Sequence, residues 1–267
     1  MPFYSTIRLH RWLYAISYTT KPEPMAANRI TNCYLCVGEA GALLYDTGFG
    51  FAPLIPEIRK ITGLPITVVL GHGHGDHAGG AYEFERAYIH PDDIELCLRH
   101  TSRTARRNIL AIPRTLPEGF DEDAYIHAGC CELVPLEQGQ VFDLGGLTME
   151  VIPMEGHSAG SVGLLAQEHK VLLDSDAANH LTWMFLRESL PMADYINMLR
   201  RINGMDVDTI YCAHCVSPIP KSDLQKYITC AENINPANTK PFHLLTELGG
   251  KVYHHDGAAI IFNESKL

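Results

Sequence analysis

Residues 71–80 read Gly-His-Gly-His-Gly-Asp-His-Ala-Gly-Gly, and no other run constrains the chain as tightly. Three imidazoles and a carboxylate, His72, His74, Asp76 and His77, fall within six positions. Neutral imidazole and carboxylate suit Zn²⁺, and imidazole also suits iron, whereas Mg²⁺ and Ca²⁺ call for oxygen-rich sites. Bringing these ligands to one point requires a tight loop. Gly71, Gly73 and Gly75 fit that need, because glycine tolerates backbone angles that other residues avoid.

Three more candidates lie far along the chain, each just past a predicted strand. Ile66 to Leu70 reads as a buried strand and precedes His72. Leu147 to Ile152 precedes His157, Val171 to Leu173 precedes Asp176, and Thr209 to Tyr211 precedes His214. Ligands of α/β proteins gather at the C-terminal ends of strands, where the loops converge. Four strands sharing this placement point to one edge and one site. Seven side chains exceed what a tetrahedral zinc ion accepts, so a two-metal site is the economical count.

The remaining pattern is that of an α/β protein. Ile30 to Val37 and Ala42 to Tyr45 form a predicted hairpin, and the C-terminal stretch Lys251 to Phe262 turns at Asp256-Gly257. Helices are predicted over Phe51–Ile61, Ala78–Arg86, Pro91–Arg107, Met192–Ile202 and Lys221–Ala231. Strands and helices interleaved this way imply sheets covered by helices. A chain of 267 residues without repeats or a linker is expected to form a single domain over 1–267.

A formal charge of −10 disfavours nucleic acid and anionic membrane as partners. No apolar run has transmembrane length. Eight cysteines without a regular framework of spacings read as free thiols in a reducing cytoplasm, the expected location.

Together these motifs resemble the metallo-β-lactamase superfamily, whose hallmark is H-x-H-x-D-H followed by a distant His, Asp and His. Gly156-His157-Ser158-Ala159-Gly160-Ser161, Leu173-Asp-Ser-Asp176 and Tyr211-Cys-Ala-His214 are similar to its later motifs. Tyr45-Asp46-Thr47-Gly48 resembles its early Asp-Thr-Gly turn, with Asp46 supporting the site. The resemblance runs from about Asn32 to Val216. It implies a four-layer αββα sandwich with the metals at one edge of its sheets. It assigns His72, His74 and His157 to one metal, Asp76, His77 and His214 to the other, and Asp176 as the bridge. Spacing alone leaves Asp174 and Asp176 open, and Asp176 aligns better.

The implied activity is hydrolysis of a small ester, thioester or lactone. Two cations roughly 3.5–4 Å apart would share a hydroxide nucleophile, with Asp76 orienting it as the catalytic residue. The metals are expected to be zinc, with iron or manganese as alternatives. The rival function is a mono-iron oxidoreductase resembling persulfide dioxygenases; β-lactamase and nuclease rank lower, since fold does not fix function.

Several features stand beside this set. His180 is a candidate substrate or supporting contact. Residues 97–128 are expected to form a helical lid, and 180–191 a flap. Five arginines and no acid lie between Arg99 and Arg114, read either as a rim drawing in an anionic substrate or as a solvated helix face. The run Leu181 to Leu186 reads as a helical flap, a homodimer contact or core. Cys212 and Cys215 have C-x-x-C spacing, but with His214 between them a structural reading outweighs a redox one.

Overall fold

The computed structural model describes residues 3–19, 30–112, 115–137, 139–215, 217–243 and 249–267; Arg114 and Val216 lie outside them. The predicted hairpin is present as Ile30–Val37 paired antiparallel with Ala42–Tyr45. Ala42–Tyr45 is buried along its whole length, as expected of a central strand apolar on both faces. Parallel pairing continues from it to Ile66–Val69, Arg86–Ile89 and Glu132–Pro135. On the other side Leu13–Thr19 and then Ser5–Arg8 pair antiparallel, completing a seven-stranded sheet.

A second, six-stranded sheet runs in the order Ile219–Pro220, Thr209–Cys212, Val171–Ser175, Val162–Ala166, Thr148–Pro153, Val141–Asp143. Alternation along the strands decides what each face meets. Leu13, Tyr34, Leu43 and Val69 of the first sheet pack against Met149, Val151, Leu164 and Leu173 of the second. Their neighbours Leu35, Leu44 and Val68 point outward, beneath Ile58 and Cys97 from the helices. On the far side Leu165, Leu172 and Ile210 pack under helices Met192–Asn203 and Leu224–Glu232. Met192, Tyr195, Met198, Leu199 and Ile202 are the buried face of the first of these, at helical spacing. The layers are therefore helix, sheet, sheet, helix.

A third sheet goes beyond the expected four layers. Leu181–Met184 pairs parallel with Ala258–Phe262, followed by Gly249–His255 and Lys240–His243. Its Met184, Ile260 and Phe262 share the core of the outer helices. The run at 181 is thus a strand rather than a helical flap, and its β-branched and aromatic residues suit that state.

Other elements differ from expectation for local reasons. The helix read as Phe51–Ile61 is only Ile55–Arg59, because Glu83 caps it from outside, accepting from the backbone N–H groups of Leu54 and Ile55. The helix read as Ala78–Arg86 is a short turn, Gly75–Ala78, a 3₁₀ turn, Ala81–Glu83, and then strand Arg86–Ile89, drawn in between two parallel neighbours. The helix read as Pro91–Arg107 breaks at Thr101-Ser102 into Ile94–His100 and Arg103–Ala111. Ser102 caps the second half by accepting from Ala105 N. Within 97–128 the helical content comes from the end of the first half, residues 97–100, from the second half and from helix Glu122–His127. No described helix is long and apolar enough to cross a membrane.

Candidate metal centre

The loop from Leu70 to Ala78 leaves the first sheet and is fixed at its start by Asp46. That residue adopts φ 64°, a left-handed angle that aspartate tolerates better than most residues. Its Oδ1 accepts from Gly71 N at 2.7 Å, and its Oδ2 accepts from His77 Nδ1 at 2.8 Å and from Ser175 Oγ at 3.0 Å. Asp93 holds the loop from the opposite side. It accepts from Gly73 N at 2.7 Å, from Ser158 Oγ at 2.8 Å and from Gly160 N at 2.9 Å, tying the loop to the one that carries His157.

The glycines serve a different need from the one expected. Neither Gly71 nor Gly73 has a positive φ. A Cβ on Gly71 would lie 2.6 Å from Ser175 Oγ, and one on Gly73 would lie 2.6 Å from Cys97 N and 2.8 Å from Asp93 O. Close approach, not backbone freedom, requires glycine there.

All seven predicted donors come together. His72, His77 and His157 are fully buried, His74, His214 and Asp176 nearly so. His72 Nε2 and His157 Nε2 lie 3.0 and 2.9 Å from His74 Nδ1. Asp76 Oδ2 lies 3.7 Å from His77 Nε2 and 3.4 Å from His214 Nε2. Asp176 stands between the two groups, 3.6 Å from His77 Nε2, 3.6 Å from His157 Nε2 and 3.2 Å from His214 Nε2. Asp174 does not join them. Its Oδ2 accepts from Ala178 N, and burial pushes its carboxyl well up, towards the neutral acid.

The outward hydrogen bonds show whether these rings fit a cation. A neutral imidazole has one N–H and one lone pair, so the partner of one nitrogen fixes the role of the other. His157 Nδ1 donates to Trp183 O at 2.7 Å, His214 Nδ1 to Ile30 O at 2.7 Å and His77 Nδ1 to Asp46. His74 Nε2 donates to Glu188 Oε1 at 2.6 Å, and His72 Nδ1 meets Ser175 Oγ at 3.2 Å. In the neutral form every ring therefore turns a lone pair inward, His72 included, because the Ser175 hydroxyl gives its proton to Asp46 and can only accept from Nδ1. Among the described residues, His77 Nε2 and His214 Nε2 are buried without a hydrogen-bond partner. This is the arrangement of histidine ligands oriented by supporting acceptors, so the residues fit a metal.

Electrostatics agree. Burial would raise Asp76 and Asp176, but the imidazoles of His77 and His214 hold both carboxyls below the usual range. Burial would lower His214, yet Asp176 and Asp76 push it up to about 10, and Asp46, Asp76 and Asp176 likewise raise His77. His72 and His157 move the other way, pushed down by burial and by neighbouring imidazoles, His157 to about 4. Without a cation, protons occupy the carboxylate-rich half.

Glu188, His100, Asp93 and Ser175 also belong to this site and were not read from the sequence. The His100 ring lies 4.9 Å from that of His74, and His74, His100 and Glu188 bring ligand atoms close together. Only Ser175 lies within a motif, Leu173-Asp-Ser-Asp176, and there as a neighbour of the ligand; the other three fall at no motif position. His180, by contrast, is exposed, and its Nδ1 meets Tyr227 OH at 3.3 Å. The buried Cys212 and Cys215 serve the site through their carbonyls. Asn32 Nδ2 donates to Cys215 O at 2.7 Å and Tyr34 OH to Cys212 O at 2.7 Å, clamping the loop that presents His214.

Residues 27–214 match the family model of the metallo-beta-lactamase superfamily. The acyl-coenzyme A thioesterase MBLAC2 of Homo sapiens is 26% identical over 186 residues, 64% of this chain and 66% of that protein. An atrochrysone carboxyl ACP thioesterase of Cryptosporiopsis sp. is 28% identical over 167 residues, 58% of this chain and 43% of that one. The alignments thus span just under two thirds of the animal relative's length and less than half of the fungal one's. A metallo-beta-lactamase family protein from Thermus thermophilus has the same fold, with a TM-score of 0.64 at 21% identity over 83% of this chain and 80% of that one.

Proposed function

This chain belongs to the metallo-β-lactamase superfamily, and we propose that it is a two-metal hydrolase that cleaves thioesters carried on an anionic group. The observation that carries the metal half of this reading is the convergence of seven donors with every imidazole lone pair turned inward. His72, His74 and His157 would hold one ion, Asp76, His77 and His214 the other, with Asp176 between them. Bound there, the ions would supply a water ionised near neutral pH and polarise the scissile carbonyl oxygen. Zinc suits this mixture of imidazole and carboxylate.

Asp76 is the donor most open to solvent, its side chain 27% exposed. One oxygen faces His77 and His214, and the other would orient the attacking water by accepting a hydrogen bond from it. The thioester half is supported by the names of the relatives, a coenzyme A thioesterase and an acyl-carrier thioesterase. Both carriers are anionic.

This chain has a matching cationic feature. Arg99, Arg103 and Arg107 are exposed in helices Ile94–His100 and Arg103–Ala111, and His100 at the end of the first touches the ring of His74. Guanidinium groups recognise phosphates with two parallel hydrogen bonds, so this face would grip the carrier's phosphates. Arg106 does not take part. It is buried, stacked on Tyr82 and Tyr125, and donates to the carbonyls of Thr101, Gly79 and Gly129.

The test begins with metal analysis of protein purified without added metal. Turnover of acyl-coenzyme A is then compared with that of the same acyl group on N-acetylcysteamine, a thiol without phosphates. Two metals per chain, hydrolysis of both, and a preference for the coenzyme A ester that Arg99→Ala, Arg103→Ala and Arg107→Ala together remove are the expected results. One iron per chain with oxygen uptake, or turnover of lactones but of neither thioester, would overturn it.

A further inference from the structure

Outside the seven donors, two carboxylates touch them from behind, Asp46 at His77 and Glu188 at His74. Glu188 Oε1 lies 2.6 Å from His74 Nε2, on the side of the ring opposite Nδ1, the atom that meets His72 and His157. We propose that Glu188 is a positioning residue for His74: its carboxylate accepts a hydrogen bond from Nε2–H and so aims the Nδ1 lone pair at a cation shared with His72 and His157. The inference rests on the metal-binding reading above and goes beyond it, since it gives a function to a side chain outside the donor set.

The chemistry follows from the tautomer. A carboxylate only accepts, so the proton of the neutral ring must sit on Nε2 and the lone pair on Nδ1. Hydrogen bonding to a negative charge also pushes electron density towards Nδ1 and makes it a stronger ligand. Removing partners of this kind typically costs about 10–100-fold in metal affinity.

The segment that presents Glu188 is fastened on both sides of it. Ser189 Oγ donates to His157 O at 3.1 Å, and Leu190 N donates to Gly156 O at 2.8 Å. Lys266 Nζ donates to the carbonyls of Arg187 and Ser189. The carboxylate is therefore held by the same loop that carries His157. One corner of the fold thus fixes two of the three imidazoles in that group, His157 directly and His74 through Glu188. The Glu188 side chain is 19% exposed, so solvent screens the pair, and its effect belongs in metal affinity more than in fold stability.

The experiment uses the full chain stripped of metal and titrated with Zn²⁺ against a chromophoric chelator, then with Co²⁺ followed by its visible spectrum. Wild type is expected to take up two equivalents. In Glu188→Ala one equivalent should weaken about 10–100-fold while the other keeps its affinity, with an altered Co²⁺ spectrum at an unchanged melting temperature of the metal-free protein. Glu188→Gln keeps an acceptor of the same size but not the charge, and should fall between the two. Wild-type affinity and spectrum in both variants would overturn the proposal. So would a third equivalent that vanishes in His100→Ala, which would make Glu188, His74 and His100 a cation site of their own. A wild type that binds no metal would instead sink the metal reading, and this inference with it.

Discussion

Asp46 accepts three hydrogen bonds at once, from Gly71, His77 and Ser175, which makes Asp46→Asn a sharp test of how the site is built. Asparagine keeps the volume but replaces one acceptor oxygen with an NH₂ donor. If the amide oxygen stays on the Oδ2 side, it still accepts from His77 Nδ1 and Ser175 Oγ, but NH₂ then faces Gly71 N–H, 2.7 Å from the position it takes. If the amide is flipped, Gly71 is satisfied but NH₂ faces His77 Nδ1. The ring must then move its proton to Nε2, the nitrogen turned towards Asp76 and Asp176, and its lone pair is lost to a metal. Either choice leaves one buried conflict, at about 1–3 kcal/mol. At 1.4 kcal/mol per tenfold, that is about one to two orders of magnitude. The first choice lowers the melting temperature of the metal-free protein, and the second weakens the ion held by His77. Chelator competition and thermal denaturation of the stripped protein separate them. Wild-type behaviour in both would refute the view that Asp46 sets the His77 tautomer.

The remaining predictions are more direct. Asp76→Ala should abolish turnover in steady-state assays, and near-normal rates would remove it from any role in handling the water proton. Gly73→Ala places a methyl against backbone atoms that cannot yield, at about 1–3 kcal/mol. At about 2–4 °C per kcal/mol its melting temperature should fall by several degrees. Gly63→Ala, with nothing within 4 Å of the new carbon, should leave it unchanged or slightly raised. Because carboxylates raise His214 to about 10 in the metal-free chain, its proton must leave when a cation enters, and metal affinity should climb with pH from about 6.5 towards 10. The same shift stabilises the metal-free fold fully below the unfolded pKa and loses that effect as pH rises through the folded one, so affinity and metal-free stability should run in opposite directions over that range. Calorimetry in buffers of different ionisation enthalpy measures the proton released; none released would count against the assignment.

What could be read from the sequence was what strand periodicity controls. Strands of a buried sheet announce themselves as short apolar runs, and the donors follow the predicted ends of those runs within two to five residues. Arg86–Ile89 escaped because four residues are too few to set their own alternation against the helical spacing before them, and they become a strand only between two neighbours. Glu188 and Asp93 escaped for a related reason. Each acts through a hydrogen bond to a residue distant in the chain, 114 positions for Glu188 to His74 and 65 for Asp93 to Ser158, and no local pattern marks such a partner. The break at Thr101-Ser102 had a local sign in the Ser102 cap, masked by the apolar and basic residues around it.

The parallel pairing of Leu181–Met184 with Ala258–Phe262 has a consequence in time. The segment bearing Glu188 gains its neighbouring strand only after some 70 further residues have been made. At about 5–20 residues per second that is a delay of several seconds on the ribosome. All seven donors have been synthesised before then. A newly made chain can therefore gather its ligands early, while the corner that orients His74 closes last.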